Sequence, residues 1–104
     1  MRCMMKVEFP VDTANNAMCD GSFSKTMQSI LDDMKPEAVY FIAENGDRTA
    51  LIFFDMQDSS QMPAVAEPLF LAFGCGVTIV PAMTLEDLGK AGPGIEAAVK
   101  KYGG

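Results

Sequence analysis

Histidine is absent from the 104 residues, and so is tryptophan. Without histidine there is no usual general base near neutral pH, no Ser-His or Cys-His nucleophile pair and no proximal haem ligand. Zinc sites built on Cys/His spacing are excluded as well. Positive charge is also scarce: eight basic residues, only Arg2 and Arg48 being arginine, stand against fourteen acidic ones, for a net charge of −6. With no basic stripe, an electrostatic grip on nucleic acid is not expected, and an anionic membrane surface repels the chain. There is no GxGxxG or GxxxxGK[ST] run to cradle a phosphate. The acidic pairs Asp32–Asp33 and Glu86–Asp87 splay apart on helices. No cofactor and no metal are therefore expected. No apolar run is long enough to span a bilayer, and strand-like sequence begins at the second residue with no signal-peptide pattern. Cys3, Cys19 and Cys75 are odd in number, widely spaced and free of any CxxC, which suits reduced thiols in a cytoplasmic protein. Cys3 belongs to a core-facing set, so Cys75, in "GCG", is the candidate for any reactive thiol.

What the chain does contain is apolar surface. Hydrophobic residues make up 49% and charged residues 21%, a globular composition. One domain of this length buries roughly 65% of its unfolded surface, enough for a core without disulfides. Nine methionines and seven phenylalanines furnish either an adaptable core or an apolar pocket.

The pattern along the chain predicts β-α-β-β-α-β. In "RCMMKVEF", Cys3, Met5, Val7 and Phe9 alternate with Arg2, Met4, Lys6 and Glu8, a strand over 2–9 with two different faces. Asp12 or Thr13 caps a helix that Gly21 interrupts or ends, and Ser22 or Ser24 restarts it. Met27, Ile30, Leu31 and Met34 then form one apolar stripe up to Pro36; whether 13–34 is one kinked helix or two is open. Two β-rich runs, 38–44 and 48–56, flank "ENGD", a type I′ hairpin signal. Ser59 or Ser60 starts a helix whose stripe is Met62, Val65, Ala66, Leu69, Phe70 and Phe73, with a kink expected at Pro68. "VTIVPAM" is a fourth strand, placed at an edge by Pro81. Thr84 with Asp87 forms a capping pair. A Gly-Pro-Gly break follows, and Ile95, Ala98, Val99 and Tyr102 share a face of a last short helix.

Right-handed crossovers turn this order into an α+β, ferredoxin-like domain: a four-stranded antiparallel sheet with two helices on one face. The first strand's other face carries Met4, Lys6 and Glu8, and the second strand's carries either Tyr40 and Ile42 or Val39 and Phe41. The third strand, with "LIFF", is apolar on both sides. Such a strand meets water on neither side. Two helices cover one face only, so the second needs another cover, and a second copy of the same sheet supplies it. A homodimer with facing sheets is the expectation.

The element order, the length, "KVEFPVD" leading into the first helix and "EPLFLAF" in the later one resemble the ferredoxin-like dimeric α/β-barrel superfamily. "VEFPVD" and "EPLFLAF" look like the corresponding stretches of its muconolactone isomerase branch, and the superfamily also holds many small bacterial proteins of unassigned role. The resemblance spans residues 1 to about 83 of a single 1–104 domain and leaves 84–104 as a C-terminal extension. It implies a dimeric barrel, with a small apolar or aromatic molecule bound between the sheets. Relatives that bind haem, and several monooxygenase relatives, use histidine or tryptophan that this chain lacks, so no catalytic residue carries over.

The residues themselves nominate a site. Glu8, Tyr40 and Asp55 are the candidate catalytic groups, with Glu8 or Asp55 as base and Tyr40 or Lys6 polarising an oxygen. Lys6, Met4 and Arg48 are candidates for substrate binding, Arg48 by gripping a carboxylate. Each has a plainer alternative: a register-fixing ion pair for Lys6 and Glu8, a packed tyrosine, a turn carboxylate, a solvated hairpin arginine. Three functions follow: a ligand-binding homodimer; a cofactor-free isomerase or monooxygenase-like enzyme; or a structural or protein-interaction module whose last helix, with Ile95, Val99 and Tyr102, caps a neighbour.

Overall fold

A computed structural model describes all residues 1–104. Strand β1 (Arg2–Phe9) is followed by α1 (Val11–Asp20), α2 (Ser22–Met34), β2 (Ala38–Glu44) and β3 (Asp47–Asp55). A 3-10 turn (Ser59–Gln61) leads into α3 (Met62–Phe73), β4 (Gly76–Pro81), α4 (Leu85–Lys90) and α5 (Gly92–Tyr102). The sheet order is β2-β3-β1-β4, and β1 pairs antiparallel with both β3 and β4. Pro81 closes an edge strand, as its missing N–H requires.

The hairpin forms as its sequence dictates. Asn45 (φ 52°) and Gly46 (φ 80°) both adopt the left-handed conformation of a type I′ turn. Gly21, at φ 80°, resolves the open question in 13–34: the chain leaves the helical path there and two helices result. Three helices, α1, α2 and α3, therefore cover the sheet where two were expected. Their ends also differ in detail. Pro10 precedes α1 and neither Asp12 nor Thr13 caps it. Asp58 and Gln61, not Ser59 or Ser60, form the capping box ahead of α3. The helix α3 runs through Pro68 to Phe73. Gly92, Pro93 and Gly94 form the first turn of α5, and the break between α4 and α5 falls one residue earlier, at Ala91.

The core lies between the three helices and one side of the sheet. Cys3, Met5, Val7 and Phe9 from β1 and Ala50, Ile52 and Phe54 from β3 share it with Ala14, Ala17, Phe23, Met27, Leu69 and Phe73. Phe9, Phe23 and Phe73 meet with ring centroids 5.2–5.6 Å apart, tying β1, α2 and α3 together. Such pairs add about 0.5–1.5 kcal/mol each beyond area burial. Met62 and Phe70, placed by their spacing in the α3 stripe, stay largely exposed.

The molecule is elongated, 58 × 28 × 21 Å, with a radius of gyration of 17.4 Å. A compact domain of this length has roughly 13 Å. The excess comes from the C-terminal arm: α5 has no buried residue.

Candidate functional site

The register of the sheet defines its helix-free face. Side chains alternate across a strand, so Arg2, Met4, Lys6 and Glu8 project opposite to the core residues of β1. Pairing places Ala38, Phe53, Met4 and Val80 in one row across the four strands. Tyr40, Leu51, Lys6 and Thr78 make the next row, and Ile42, Thr49, Glu8 and Gly76 the third. The alternative left open for β2 is thus decided for Tyr40 and Ile42, while Val39 and Phe41 face the helix side. Both sides of "LIFF" are used: Ile52 and Phe54 in the core, Leu51 and Phe53 on the open face.

This face is an apolar carpet around one charged cluster. Tyr40 is 60% exposed, and its ring stands edge-on to Phe53 with centroids 6.3 Å apart. Lys6 donates to Glu44 Oε1 at 2.9 Å and lies 3.7 Å from Glu8 Oε1. The Glu44 hydrogen bond is the main reason the Lys6 ammonium is held above its ordinary pKa, with desolvation opposing and the charges of Glu44 and Glu8 assisting. Sequence reasoning paired Lys6 with Glu8 along one strand. The nearer partner, Glu44, comes from the far edge strand, and only the β1–β3–β2 register reveals it.

Of the six nominated residues, Met4, Lys6, Glu8 and Tyr40 share this face. Asp55 lies on the same face but at its far end, and Arg48 lies on the other side of the sheet. Asp55 pairs with Arg2 at the opposite end of the sheet, roughly 20 Å along β1 from Glu8. There it accepts a hydrogen bond from the Met1 ammonium at 2.8 Å. Within one chain the two carboxylates are too far apart to serve one reacting centre. Arg48 pairs with Phe9 and Ala43 and projects to the helix side, where its Nη1 donates to Asn15 Oδ1 at 2.9 Å.

Arg48 instead borders a groove that the sequence reading missed. Between α2 and the β2 edge lies a depression of about 570 Å³, lined by Phe9, Phe23, Met27, Leu31 and Phe41, with Arg48 at its rim. The signal was available in the hairpin. Once Asn45-Gly46 sets the turn, Glu44 opposes Asp47 and Ala43 opposes Arg48, so Arg48 must share a side with Phe41.

The thiols also sort differently from expectation. Cys3 and Cys75 are buried and Cys19 is exposed. Desolvation pushes the Cys75 thiol up from 9.0 to about 11, so the "GCG" cysteine is inert and Cys19 is the accessible one. No cluster of three or more His, Cys, Asp or Glu side chains could hold a metal ion. No helix is long and apolar enough to cross a membrane.

The architecture defines the class: an α+β domain with a four-stranded antiparallel sheet in the ferredoxin-like strand order. A solved structure with a similar chain trace is a formyltetrahydrofolate deformylase from Pseudomonas putida KT2440, with a TM-score of 0.50 and 11% sequence identity. The match covers 79% of this chain and 29% of that one, and at this identity it speaks for the fold alone. No protein-family model and no curated protein sequence matches the chain.

Proposed function

We propose that the chain works as a homodimer whose open sheet faces meet and hold a small apolar or aromatic molecule between them. The observation that carries this reading is the unroofed face itself. Met4, Tyr40, Ile42, Leu51, Phe53 and Val80 share one side of the sheet, and none is buried. A contiguous apolar patch of that extent marks an interaction surface. The resemblance to the dimeric α/β-barrel superfamily points the same way, and so does a third strand apolar on both faces. Between two such faces, Tyr40 and Phe53 offer ring surfaces, and the Lys6–Glu44–Glu8 cluster offers the polar contacts that orient a ligand. If a reaction runs there, Glu8 is the base and Lys6 or Tyr40 polarises a carbonyl or phenolate oxygen, without a cofactor.

Sedimentation of the intact protein at micromolar concentration tests the reading. The expected result is a dimer that becomes a folded monomer on Leu51→Asp, together with a thermal shift from Nile red that Leu51→Asp abolishes. A wild-type monomer at tens of micromolar overturns it.

The groove beside α2 favours a second reading. Arg48 is held by the neutral amide of Asn15, next to an apolar trough, on an acidic protein. That combination fits an apolar carboxylate or sulfonate. Anilinonaphthalene sulfonate should then bind, and Arg48→Gln should weaken it while leaving Nile red unaffected. Equal loss of both dyes excludes the groove as an anion site.

A further inference from the structure

The C-terminal arm has a hydrophobic stripe and nothing in its own chain to bury it against. Ile95, Val99 and Tyr102 lie along one side of α5, at 51%, 61% and 77% exposure. Met83, Leu85 and Leu88 extend the exposed apolar surface back towards β4. An eleven-residue helix is marginal in water by itself, and Gly92 and Gly94 in its first turn add backbone cost. A helix of this kind owes its persistence to packing.

The base of the arm, by contrast, is fastened. Thr84 and Asp87 form a reciprocal capping box at the start of α4. Arg2 reaches Asp87 at 3.9 Å and Glu37 at 2.8 Å. The Ala82 N–H also donates to the Arg2 carbonyl at 3.0 Å. Arg2 belongs to the open-face row of β1, so the arm departs from the rim of that face.

We propose that the arm crosses to a second copy of this chain and lays its Ile95–Val99–Tyr102 stripe on that copy's body, so that each protomer is clasped by the other's α5. This rests on the sheet-to-sheet dimer proposed above and names a second part of its interface. Three observations favour a second copy over other occupants. The first is reach. The arm's two helices span roughly 26 Å, against a sheet roughly 19 Å wide, so an arm rooted at the rim extends past a partner seated on the face. The second is area. The flat footprints of two sheet faces of these dimensions come to on the order of 900 Å² together, and two clasping helices add further contact towards the roughly 1,200–2,000 Å² of accessible surface that stable interfaces bury. The third is charge. Residues 84–104 carry three acidic and three basic side chains, so the whole net charge of −6 lies on residues 1–83. Lys100 and Lys101, in the last turn of α5, therefore approach an acidic body and not a like charge.

The test uses the full chain. A 15N-labelled protein is mixed with an unlabelled Cys19→Ser, Lys101→Cys chain bearing a nitroxide on the new thiol. The proposal expects line broadening of resonances from residues 1–83 of the 15N chain, which only an arm from another molecule produces. It also expects α5 amides protected from hydrogen exchange at dimer concentrations, and at least a tenfold weaker dimer for Val99→Asp. A dimer without intermolecular broadening, with α5 amides exchanging at unfolded rates, overturns the clasp and leaves the sheet dimer standing. An unchanged dissociation constant for Val99→Asp overturns it as well. A monomer in the same mixture overturns both.

Discussion

Strand β1 belongs to two environments at once. Its odd residues, Cys3, Met5, Val7 and Phe9, are at most 1% exposed, while Arg2, Met4, Lys6 and Glu8 on the other side are not buried. The hydrogen-bonding of the strand is common to both, so parity alone separates them. The covered side is sealed by three helices and locked by the Phe9–Phe23–Phe73 group. Within Leu51–Phe54 the open side of β3 is as apolar as the covered one, with Leu51 and Phe53 set against Ile52 and Phe54, but no helix lies over it. The contrast teaches that in this stretch side-chain chemistry on the two faces is nearly matched and that coverage differs.

Adjacent residues give the sharpest way to break that comparison. Ile52→Asp places a carboxylate in a fully buried site without a partner, a cost that takes most of the roughly 5–15 kcal/mol stability of a small domain. Circular dichroism should show an unfolded chain. Leu51→Asp, one residue earlier, sets the same carboxylate opposite Lys6 on the open face, so the chain should stay folded and lose only the proposed dimer. If the two variants unfold equally, the open face is part of the monomer's core.

Truncating a phenylalanine on each face compares the two by size. Phe9→Ala removes the centre of the aromatic group and should cost about 3–5 kcal/mol in urea unfolding. Phe53→Ala, which loses the edge-on contact with Tyr40, should cost under about 1.5 kcal/mol in a monomeric Leu51→Asp background. In the dimer its cost should rise with protein concentration. A large, concentration-independent loss for Phe53→Ala contradicts an open face.

The thiols report coverage without any substitution. Cys19 should react with iodoacetamide at pH 8 in the folded protein, and Cys3 and Cys75 only after denaturant is added. Because the folded pKa of Cys75 is raised, the native state keeps a proton between pH 9.0 and about 11 that the unfolded chain releases. Its contribution to stability is thus whole below pH 9.0 and falls as pH rises through that window. Removing the thiol by Cys75→Ala should flatten that part of the stability profile.

Much of this contrast was legible in the sequence, because period and turn chemistry are local. The alternation of β1 names its four buried residues, and Asn45-Gly46 sets the hairpin. Gly21 carries the only hint of two helices in 13–34, and its left-handed φ is what splits them. The misses have a common cause in non-local registration. Which of Tyr40 or Phe41 shares a side with Lys6 depends on how β2 meets β3 and β3 meets β1, and no window of ten residues holds that information. The same gap hid Glu44 as the main partner of Lys6. It also put Arg48 with Glu8 when the sheet separates them, although the hairpin alone fixed Arg48 on the side of Phe41. The arm was legible as a helix but not as a projection, since an amphipathic stripe states that something must cover it and not what does.

The smallest expected effect lies in the charged cluster, the one feature of the open face with no counterpart on the covered side. With its folded pKa raised above the ordinary 10.5, Lys6 contributes stability that is whole below that pH and is lost as pH rises past it. The change in unfolding free energy is too small to serve as the readout, since Glu8, Glu44 and Lys6 all retain access to water. The readout is therefore the Lys6 side-chain carbon resonance followed through its titration. Glu44→Gln should return the midpoint towards its ordinary value, and Glu8→Gln should move it less, because the Glu44 contact is 2.9 Å and the Glu8 contact 3.7 Å. In a monomeric Leu51→Asn variant, where no new charge stands beside Lys6, added salt should shrink the shift, since exposed charges are screened within about 10 Å at 0.1 M. In the dimer the facing sheet excludes the salt, so the shift should persist. A shift equally salt-sensitive in both states means that the cluster stays wet and that the two faces do not close over it.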